Sequence, residues 1–359
     1  MSPNNIVRGI RNTTQKQLLK AVPKRWKHQF NFGLKAYGLK PFQSAASNGR
    51  GVVANAHTAA TKTDRLLANI KLAEHLGTVF DTLKLVKPSS FVNVDHSDMH
   101  GLLALVGALQ TRKGRALPCM VEATYASTIP ANSDKPRWQK LRAAMMASRL
   151  TQSFTGHVID SLQDLADRLG FWPKLVFDRG FANESIITHL QAEGATFYVR
   201  LKGGRFVEFD GQKTLVKTLL EKDATVQLFG LRLRIVRSPK SRRAKEPWYI
   251  LTNDFSSSRN KIVKIYYHRF EIEETFKDIK HIFEYKRTRL NSPNSLKVLL
   301  WLVSLGIAML YLVTKRQARQ CGFESEHSCK AHPKKQTSWL RQAYEILQQA
   351  YSQLLWGEG

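Results

Sequence analysis

The stretch that decides the fold of this chain is Tyr266-Tyr-His-Arg269-Phe-Glu-Ile-Glu273-Glu-Thr-Phe-Lys-Asp-Ile-Lys280. It contains neither proline nor glycine, so the sequence predicts one continuous helix. At about 100° per residue, four different polar groups of this helix fall within about 60° of one another. They are the side chains of Tyr266, Arg269, Glu273 and Lys280. A carboxylate flanked by basic groups and a phenol on one rigid face suits a metal-bound, phosphate-rich substrate.

Two apolar segments upstream each lead into an aspartate. Phe91-Val-Asn-Val-Asp95 is predicted to be a short strand with Asp95 at its exit, and Lys174-Leu-Val-Phe-Asp178 a second strand. A single aspartate at a strand end is by default a helix cap or turn former. Charged residues on one helix face are by default solvated and paired with each other. Asp98 is the alternative to Asp95 as the functional carboxylate of the first segment, but Asp95 is the residue that ends the apolar pattern.

The spacing Y-x2-R-x3-E-x6-K, with the two upstream aspartates, resembles the signature of the IS4-type DDE transposases, the cut-and-paste enzymes of bacterial insertion sequences. In that family a strand typically ends in Asp, an aromatic residue, Ser or Thr, and Asp. Asp95-His96-Ser97-Asp98 is similar, with His96 where an aromatic residue is commoner. The family's second carboxylate stands in Asp-x-Gly-Phe, which Asp178 to Phe181 matches. The resemblance spans roughly residues 60 to 315.

The resemblance implies that Asp95, Asp178 and Glu273 are the catalytic residues and the metal ligands. Phosphodiester transfer needs an activated nucleophile and a stabilised leaving oxyanion, and two Mg²⁺ ions about 3.5–4 Å apart provide both. Mg²⁺ prefers hard oxygen ligands and keeps some of its waters, so a few carboxylates and the substrate phosphate suffice. Mn²⁺ can substitute for it.

The same resemblance implies five further contacts to DNA. Tyr266, Arg269 and Lys280 would hold phosphates near the transposon end, arginine through bidentate bonds and lysine as a point charge. In relatives the flanking DNA is released through a hairpin at the transposon end, with a flipped base stacked on aromatic rings. Phe270 and Trp248 are the candidates for that stacking, and the alternative for both is a place in the protein core.

The charge of the chain predicts a polyanionic partner. Its 56 Lys and Arg residues face 28 Asp and Glu residues, which gives a formal net charge of +28. No acidic residue precedes Asp64, whereas ten basic residues occur by residue 60, and residues 237–245 form a second acid-free basic cluster. An excess this large indicates nucleic acid. Double-stranded DNA, as transposon ends and target, is the predicted partner.

Three features predict a protein of a reducing compartment that is not in a membrane, and the resemblance implies the bacterial cytoplasm, associated with the nucleoid. The three cysteines have no paired spacing, which indicates a reducing compartment. The basic N-terminus has no apolar segment of the kind found in signal peptides. The apolar run at residues 298–313 is shorter than the roughly 20 residues that cross a bilayer, so a buried core helix is expected.

The predicted architecture is α/β, with a ribonuclease H-like core and a β-strand insertion. Residues 1–88 are expected to be a helical DNA-binding region, 89–290 the catalytic core and 291–359 a C-terminal helical region. Within the core, strands at 102–109 and 116–124 flank a hairpin turn, residues 138–169 are mostly helical, and a helix at 184–191 precedes a strand at 196–201. This order places the strand-end carboxylates beside each other. The β insertion, at about 202–256, includes β character over 225–236.

The implied reaction begins with binding of the terminal inverted repeats. Hydrolysis at the transposon 3′ end, a hairpin intermediate and joining of the 3′-hydroxyls to target DNA would follow. Family members cut their ends within a paired complex, so a homodimer in a synaptic complex is expected. Two alternatives share the same core: a nuclease that cuts DNA but never joins ends, and a catalytically silent DNA-binding relative.

Overall fold

The computed structural model describes residues 67, 69–99, 101–125, 153–219, 221–239, 247–281, 290 and 292–320. Two compact units make up the chain: Gly77–Lys277, and Met1–Leu76 together with Asp278–Gly359. Most of the predicted N-terminal DNA-binding region, up to residue 66, lies outside the described residues. So do residues 321–359 of the C-terminal region and the first part of the helix predicted over residues 138–169.

A single ten-stranded sheet is the framework of the unit Gly77–Lys277. Its strands are β1 (Phe91–Met99), β2 (Leu102–Leu109), β3 (Leu117–Tyr125), β4 (Lys174–Phe177), β5 (Phe197–Leu201), β6 (Phe206–Phe209), β7 (Gln212–Leu215), β8 (Asp223–Leu228), β9 (Leu231–Arg237) and β10 (Tyr249–Thr252). Their order across the sheet is β3-β2-β1-β4-β5-β10-β9-β8-β6-β7.

The described helices begin and end at residues whose chemistry explains the boundary. They are α1 (Ile70–Asp81), α2 (Phe154–Leu169), α3 (Glu184–Ala192), α4 (Arg259–Tyr267), α5 (Phe270–His281) and α6 (Pro293–Gln320). Ser153 and Ser258 cap α2 and α4 by accepting a backbone N–H bond. Helix α2 ends at Gly170, whose φ of 74° suits a residue without a Cβ.

The half of the sheet built from β1 to β5 is compatible with a ribonuclease H-like core. Strands β1, β4 and β5 run parallel, and β2 and β3 continue antiparallel from β1 as consecutive hairpins. The parallel strands are nearly unbroken apolar runs, as strands covered on both faces require. Their fully buried side chains include Val92, Val94, Leu175, Phe177 and Phe197. Apart from β1, the predicted strands of this half and the helix after Asp178 are confirmed to within one residue.

The β insertion extends the same sheet. Strand β10 pairs antiparallel with β5, and β9, β8, β6 and β7 follow outward. Strands β6 and β7 are joined by an Asp210-Gly211 turn, with φ of 49° and 74°, the backbone that a two-residue hairpin favours. A second such turn at Phe229-Gly230, with φ of 58° and 71°, divides the predicted 225–236 stretch into β8 and β9.

Strand β1 is longer than predicted, so Asp95 does not lie at its exit. The strand continues to Met99 because its second half pairs with β2, with Asp95 opposite Val106. Only the parallel pairing with β4 stops earlier, at Val94 opposite Phe177. Asp95 therefore lies where the parallel ladder ends and the hairpin continues.

The predicted single helix over residues 266–280 is wrong, because the chain forms two helices with a break between them. Helix α4 ends at Tyr267 and α5 begins at Phe270. Across the break the N–H groups bond three residues back: His268 to Ile265 at 3.2 Å and Arg269 to Tyr266 at 3.0 Å. The tighter turn changes the angular relation of Tyr266 to the residues of α5.

Two side chains from the sheet explain the break. The Gln110 amide donates to the Ile265 carbonyl at 3.1 Å, and the Asn93 amide donates to the His268 carbonyl at 3.1 Å. These bonds help to satisfy carbonyl oxygens at the end of α4, where regular helical pairing stops. The local sequence contains no proline or glycine to signal the break, because its cause lies in the sheet.

A buried polar cluster fixes the segment that leads into α4. The Tyr198 hydroxyl donates to Asp254 Oδ2 at 2.6 Å, and Asp254 Oδ1 accepts from the backbone N–H groups of Ser256 and Ser257, both at 2.9 Å. Arg234 donates to the carbonyls of Asp254 and Ser257, at 3.0 and 2.7 Å. The start of α4 is thus attached to β5 and β9.

Helix α6 belongs to the second unit and is strongly apolar. Its segment Pro293–Leu312, with a mean hydropathy of 2.0, is long and apolar enough to cross a membrane. One such helix indicates a span only weakly, because core helices of soluble proteins have the same length and composition. One set of its side chains is fully or almost fully buried: Leu296, Val298, Leu300, Trp301, Ile307 and Ala308. The sequence predicts a buried core helix, but only 39% of the segment is buried and Met309 is 42% exposed, so the burial is partial.

Candidate active site

Asp95 and Asp178 lie on neighbouring parallel strands at the same level. The last registered pair of β1 and β4 is Val94 with Phe177, so each aspartate is the next residue on its strand. Paired strands lie about 4.8 Å apart. Burial raises the pKa of the Asp95 carboxyl above its ordinary value, and the nearby charge of Asp178 also acts to raise it. Two carboxylates 83 positions apart in sequence are thus brought together, as the ribonuclease H-like order predicts.

The simpler explanations for these aspartates do not account for their positions. Asp178 precedes the short 3-10 turn Arg179–Phe181, yet its side chain makes no capping hydrogen bond there. Asp98, the rival to Asp95, lies on the opposite face of β1, because side chains alternate along a strand and three positions separate the two. Asp95 and Asn93 therefore lie on the face of β1 that contacts the break between α4 and α5, and Asp98 does not.

Arg269 connects Asp95 to Glu273. Its Nη1 lies 3.3 Å from Asp95 Oδ2, and its Nη2 donates to Glu273 Oε1 one turn further along the chain. The arginine is only 4% exposed, whereas the Glu273 side chain is 40% exposed. Burial alone would lower the pKa of Arg269, but nearby acidic groups raise it: Tyr266, Asp178, Glu273 and Asp95. One guanidinium thus pairs with two of the three predicted catalytic carboxylates, Asp95 and Glu273, while the charge of Asp178 also acts on it.

An aromatic cluster surrounds the same arginine. The Trp248 ring, from the β insertion, lies 5.4 Å from Tyr266 and 5.7 Å from Phe270, measured between ring centroids. The Arg269 guanidinium lies over the Phe270 ring at 4.9 Å. Tyr266 is buried, which raises the pKa of its phenol, while Phe270 is 38% exposed. The insertion therefore contributes a tryptophan to the helix break, and an accessible ring lies beside a buried cation.

His96, in the segment Asp95-His96-Ser97-Asp98, packs against aromatic rings as an aromatic residue would. Its ring contacts Phe181 and Phe154 edge-on, with centroid distances of 5.7 and 5.8 Å. Phe181 belongs to the Asp-x-Gly-Phe motif, so this contact joins the segments that follow the two aspartates. The departure of His96 from the family pattern is therefore conservative in its packing.

Lys280 lies in the last turn of α5, seven residues beyond Glu273. It belongs to the second compact unit, which begins at Asp278, whereas the other seven candidate residues belong to Gly77–Lys277. On a helix, seven residues correspond to about 10.5 Å. The phosphate contact proposed for Lys280 stays a prediction.

Glu271 is a structural residue that the helical stripe does not identify. Its carboxylate accepts N–H bonds from Thr111 at 2.9 Å, Arg112 at 3.2 Å and Gly114 at 3.3 Å, and contacts His268 Nδ1 at 3.2 Å. It is 5% exposed. These bonds attach the start of α5 to the β2–β3 loop and so fix the helix that carries Glu273. A buried glutamate whose partners are about 160 positions away has no local sequence signal.

The donor chemistry of the site fits a hard divalent cation. Asp95, Asp178 and Glu273 supply carboxylate oxygens, and the like charges of the two aspartates need a counter-ion. Within the described part of the chain, however, no three His, Cys, Asp or Glu side chains are close enough together to hold an ion. In place of an ion, the Arg269 guanidinium lies between two of these carboxylates and binds one oxygen of Asp95 and one of Glu273.

Comparison with known proteins agrees with this geometry. Residues 150–310 match the family model described as the transposase DDE domain. The matched segment contains Asp178 and Glu273 as well as the aromatic cluster, while Asp95 precedes it. No curated protein matches the chain. The match, which covers less than half of the chain, shows that this segment is similar to a transposase DDE domain.

Proposed function

We propose that this chain is an IS4-type transposase that cuts and joins DNA through Asp95, Asp178 and Glu273. The observations that support the proposal are two: Arg269 pairs with both Asp95 and Glu273, and Asp178 directly follows the strand that is registered beside the strand of Asp95. Carboxylates gathered from distant segments, at one end of a parallel ladder, are the arrangement that metal-assisted phosphoryl transfer requires.

The three carboxylates would hold two Mg²⁺ ions, or Mn²⁺, which would polarise the scissile phosphate and activate water or a 3′-hydroxyl. The protein's own contribution is orientation. The ladder between β1 and β4 fixes Asp95 relative to Asp178, and the Glu271 bonds to the β2–β3 loop fix the helix that carries Glu273.

Phosphate binding is assigned to Arg269, Tyr266 and Lys280. Arg269 has the planar fork that matches two phosphate oxygens, and Lys280 provides a point charge further along α5. The buried phenol of Tyr266 lies beside the Arg269 guanidinium, whose charge acts on it. Together they would position the phosphate at the transposon end against the carboxylates.

Base stacking is assigned to Phe270 and Trp248. Phe270 is the accessible ring of the cluster, and a cation already lies on it. Stacking of a base on an aromatic ring contributes about 1–3 kcal/mol, which is comparable to the few kcal/mol needed to extrude a base. This pair would hold a flipped base while a hairpin forms at the cleaved end.

The remaining parts of the proposal rest on the sequence. The acid-free, basic residues at the start of the chain would bind the terminal inverted repeats as part of the region 1–88. Cutting both ends in one complex requires a homodimer on DNA, in the bacterial cytoplasm. Joining to target DNA would then take place in solution, with no membrane as a partner.

The test uses the purified chain, Mg²⁺ and DNA that carries the gene's own terminal repeats. Asp95→Asn, Asp178→Asn and Glu273→Gln are each expected to abolish cleavage at the repeat boundary while leaving repeat binding intact. Glu274→Gln is the matched control, since Glu274 is on the same helix but pairs with Arg115 and Lys277. An active single mutant would refute the triad, and equal cutting of unrelated DNA would favour a nuclease.

A further inference from the structure

The Arg269 guanidinium takes up one oxygen of each of two carboxylates that would hold a metal ion. It binds Asp95 Oδ2 on one side and Glu273 Oε1 on the other, and it is 4% exposed. A guanidinium and a divalent cation repel each other, and they compete for the same lone pairs. Among the residues that the structure describes, no three His, Cys, Asp or Glu side chains are close enough together to hold an ion. In this position Arg269 therefore opposes the binding of an ion shared by these two carboxylates.

The surroundings of Arg269 provide an alternative position for its side chain. Its backbone lies in the tight turn between α4 and α5, and its guanidinium lies over Phe270, which is 38% exposed. The Glu273 side chain on the same side is 40% exposed. Two direct neighbours of the buried guanidinium, the Phe270 ring and the Glu273 carboxylate, are thus open to solvent.

We propose that Arg269 is an electrostatic lock on the metal site, and that a DNA phosphate releases it. This inference rests on the proposed function. Without DNA, Arg269 neutralises Asp95 and Glu273 and opposes metal binding. When a backbone phosphate arrives, the guanidinium exchanges its two carboxylate partners for two phosphate oxygens, a geometry that arginine satisfies well. The freed carboxylates would then bind the cations, so the enzyme would bind its metal ions only when DNA is present.

The lock makes metal binding and DNA binding depend on each other. Because coupling between two ligands is reciprocal, DNA raises the affinity for metal by the same factor by which metal raises the affinity for DNA. A permanent structural ion pair makes the opposite prediction. In that case Arg269 holds the two carboxylates at the correct spacing, and its removal weakens metal binding.

The experiment measures Mn²⁺ binding to the full-length protein without DNA, by electron paramagnetic resonance of the free ion. Arg269→Gln is expected to bind Mn²⁺ about tenfold more tightly than wild type, with Arg269→Lys intermediate because an ammonium cannot bridge both carboxylates. Arg115→Gln is the matched control, since Arg115 pairs with Glu274 on the same helix. It should leave Mn²⁺ affinity unchanged. Thermal unfolding of each variant verifies that it is folded.

A second measurement compares the effect of DNA on wild type and on Arg269→Gln, and its wild-type half does not depend on a variant folding. A duplex with an uncleavable linkage at the repeat boundary should raise the Mn²⁺ affinity of wild type by about tenfold, and that of Arg269→Gln by clearly less. Unchanged or weaker Mn²⁺ binding by both Arg269 variants overturns the lock, and so does an equal effect of DNA on wild type and Arg269→Gln. If wild type still cleaves its ends in that case, the lock is wrong and the transposase assignment stands. Tighter binding without any cleavage supports the lock and removes the assignment.

Discussion

The Asn93 amide nitrogen lies 3.1 Å from the His268 carbonyl oxygen. This bond joins the strand that carries Asp95 to the break between the helices that carry Tyr266 and Glu273. Asn93 is completely buried, and its own carbonyl oxygen accepts from Gln110 Nε2 at 2.7 Å. A short buried network therefore sets the distance between the strand and the helices, and Arg269 completes the connection.

Asn93→Ala should disturb both stability and catalysis. It leaves buried polar groups with fewer partners, so we expect a loss of about 1–3 kcal/mol in the free energy of unfolding, measured with urea. End cleavage should fall as well, because Asp95 and Arg269 lose their common support. Asn260→Ala, an exposed asparagine in the first turn of α4, is the control and should have little effect. Unchanged stability and cleavage in Asn93→Ala would show that the network does not position the site.

Glu271→Ala should loosen the attachment of α5 to the β2–β3 loop. Three backbone N–H groups lose a charged acceptor, and we expect a loss of about 2–3 kcal/mol in unfolding free energy. Cleavage should decrease while the chain still folds. Glu208→Ala removes an exposed carboxylate from β6 and serves as the control. If both variants unfold at the same urea concentration as wild type, Glu271 does not have the anchoring role assigned to it.

The positions of Asp95 and Asp178 beside each other could be predicted because the signals are local. The segments ending in Asp95 and Asp178 are apolar runs, and such runs become buried parallel strands. Once two parallel strands are adjacent, the residues that follow their last pair must lie together. Even the error at β1 is instructive: the strand continues past Asp95 because β2 lies opposite it, and pairing with a later segment is not written in the sequence of β1.

The helix break and its supports could not be predicted, because their causes are far away in sequence. Gln110 and Asn93 bind carbonyls more than 150 positions later. Glu271 lies off the polar stripe of a single helix, so helical periodicity assigns it to the solvent, whereas it is buried against a loop. Tertiary hydrogen bonds thus override a continuous helical pattern.

Asp254→Asn should destabilise the protein in a pH-dependent manner. Burial alone would raise the pKa of Asp254, but hydrogen bonds from Ser257, Tyr198 and Ser256 lower it well below the ordinary value of 3.8. A lowered folded-state pKa contributes stability that is complete above the unfolded-state pKa and is lost as the pH falls through the folded-state value. At neutral pH we expect Asp254→Asn to lose about 2–3 kcal/mol.

Urea unfolding of wild type and Asp254→Asn over a pH series checks this prediction. The difference between the two proteins should be largest near neutral pH and should shrink as the pH falls below 3.8. Tyr198→Phe, which removes one donor to the carboxylate, should show a smaller loss. A difference that stays constant across the acid range would contradict the assignment of an ionised, hydrogen-bonded Asp254.

Phe270→Ala and Trp248→Ala should impair hairpin formation more than end binding. Loss of stacking on one ring costs about 1–3 kcal/mol, and hairpin yield should fall by about tenfold or more. A fluorescent base analogue at the transposon end separates the two steps. Its emission rises when the base leaves the DNA stack, and it is quenched again when the base stacks on an aromatic ring of the protein. Phe255→Ala, which removes another exposed ring with an arginine over it, is the control. Normal extrusion and hairpin yield in both variants would assign these rings to packing alone.

Joining of DNA ends tests the central claim most directly. The measurement uses a precleaved terminal-repeat duplex with a free 3′-hydroxyl, supercoiled target DNA and Mg²⁺, and compares wild type with Glu273→Gln. Wild type is expected to produce joined ends at staggered target positions, and Glu273→Gln to bind the duplex without forming any joined product. Target DNA that wild type cuts but never joins, or joining by Glu273→Gln at the wild-type rate, would contradict a transposase that acts through Asp95, Asp178 and Glu273.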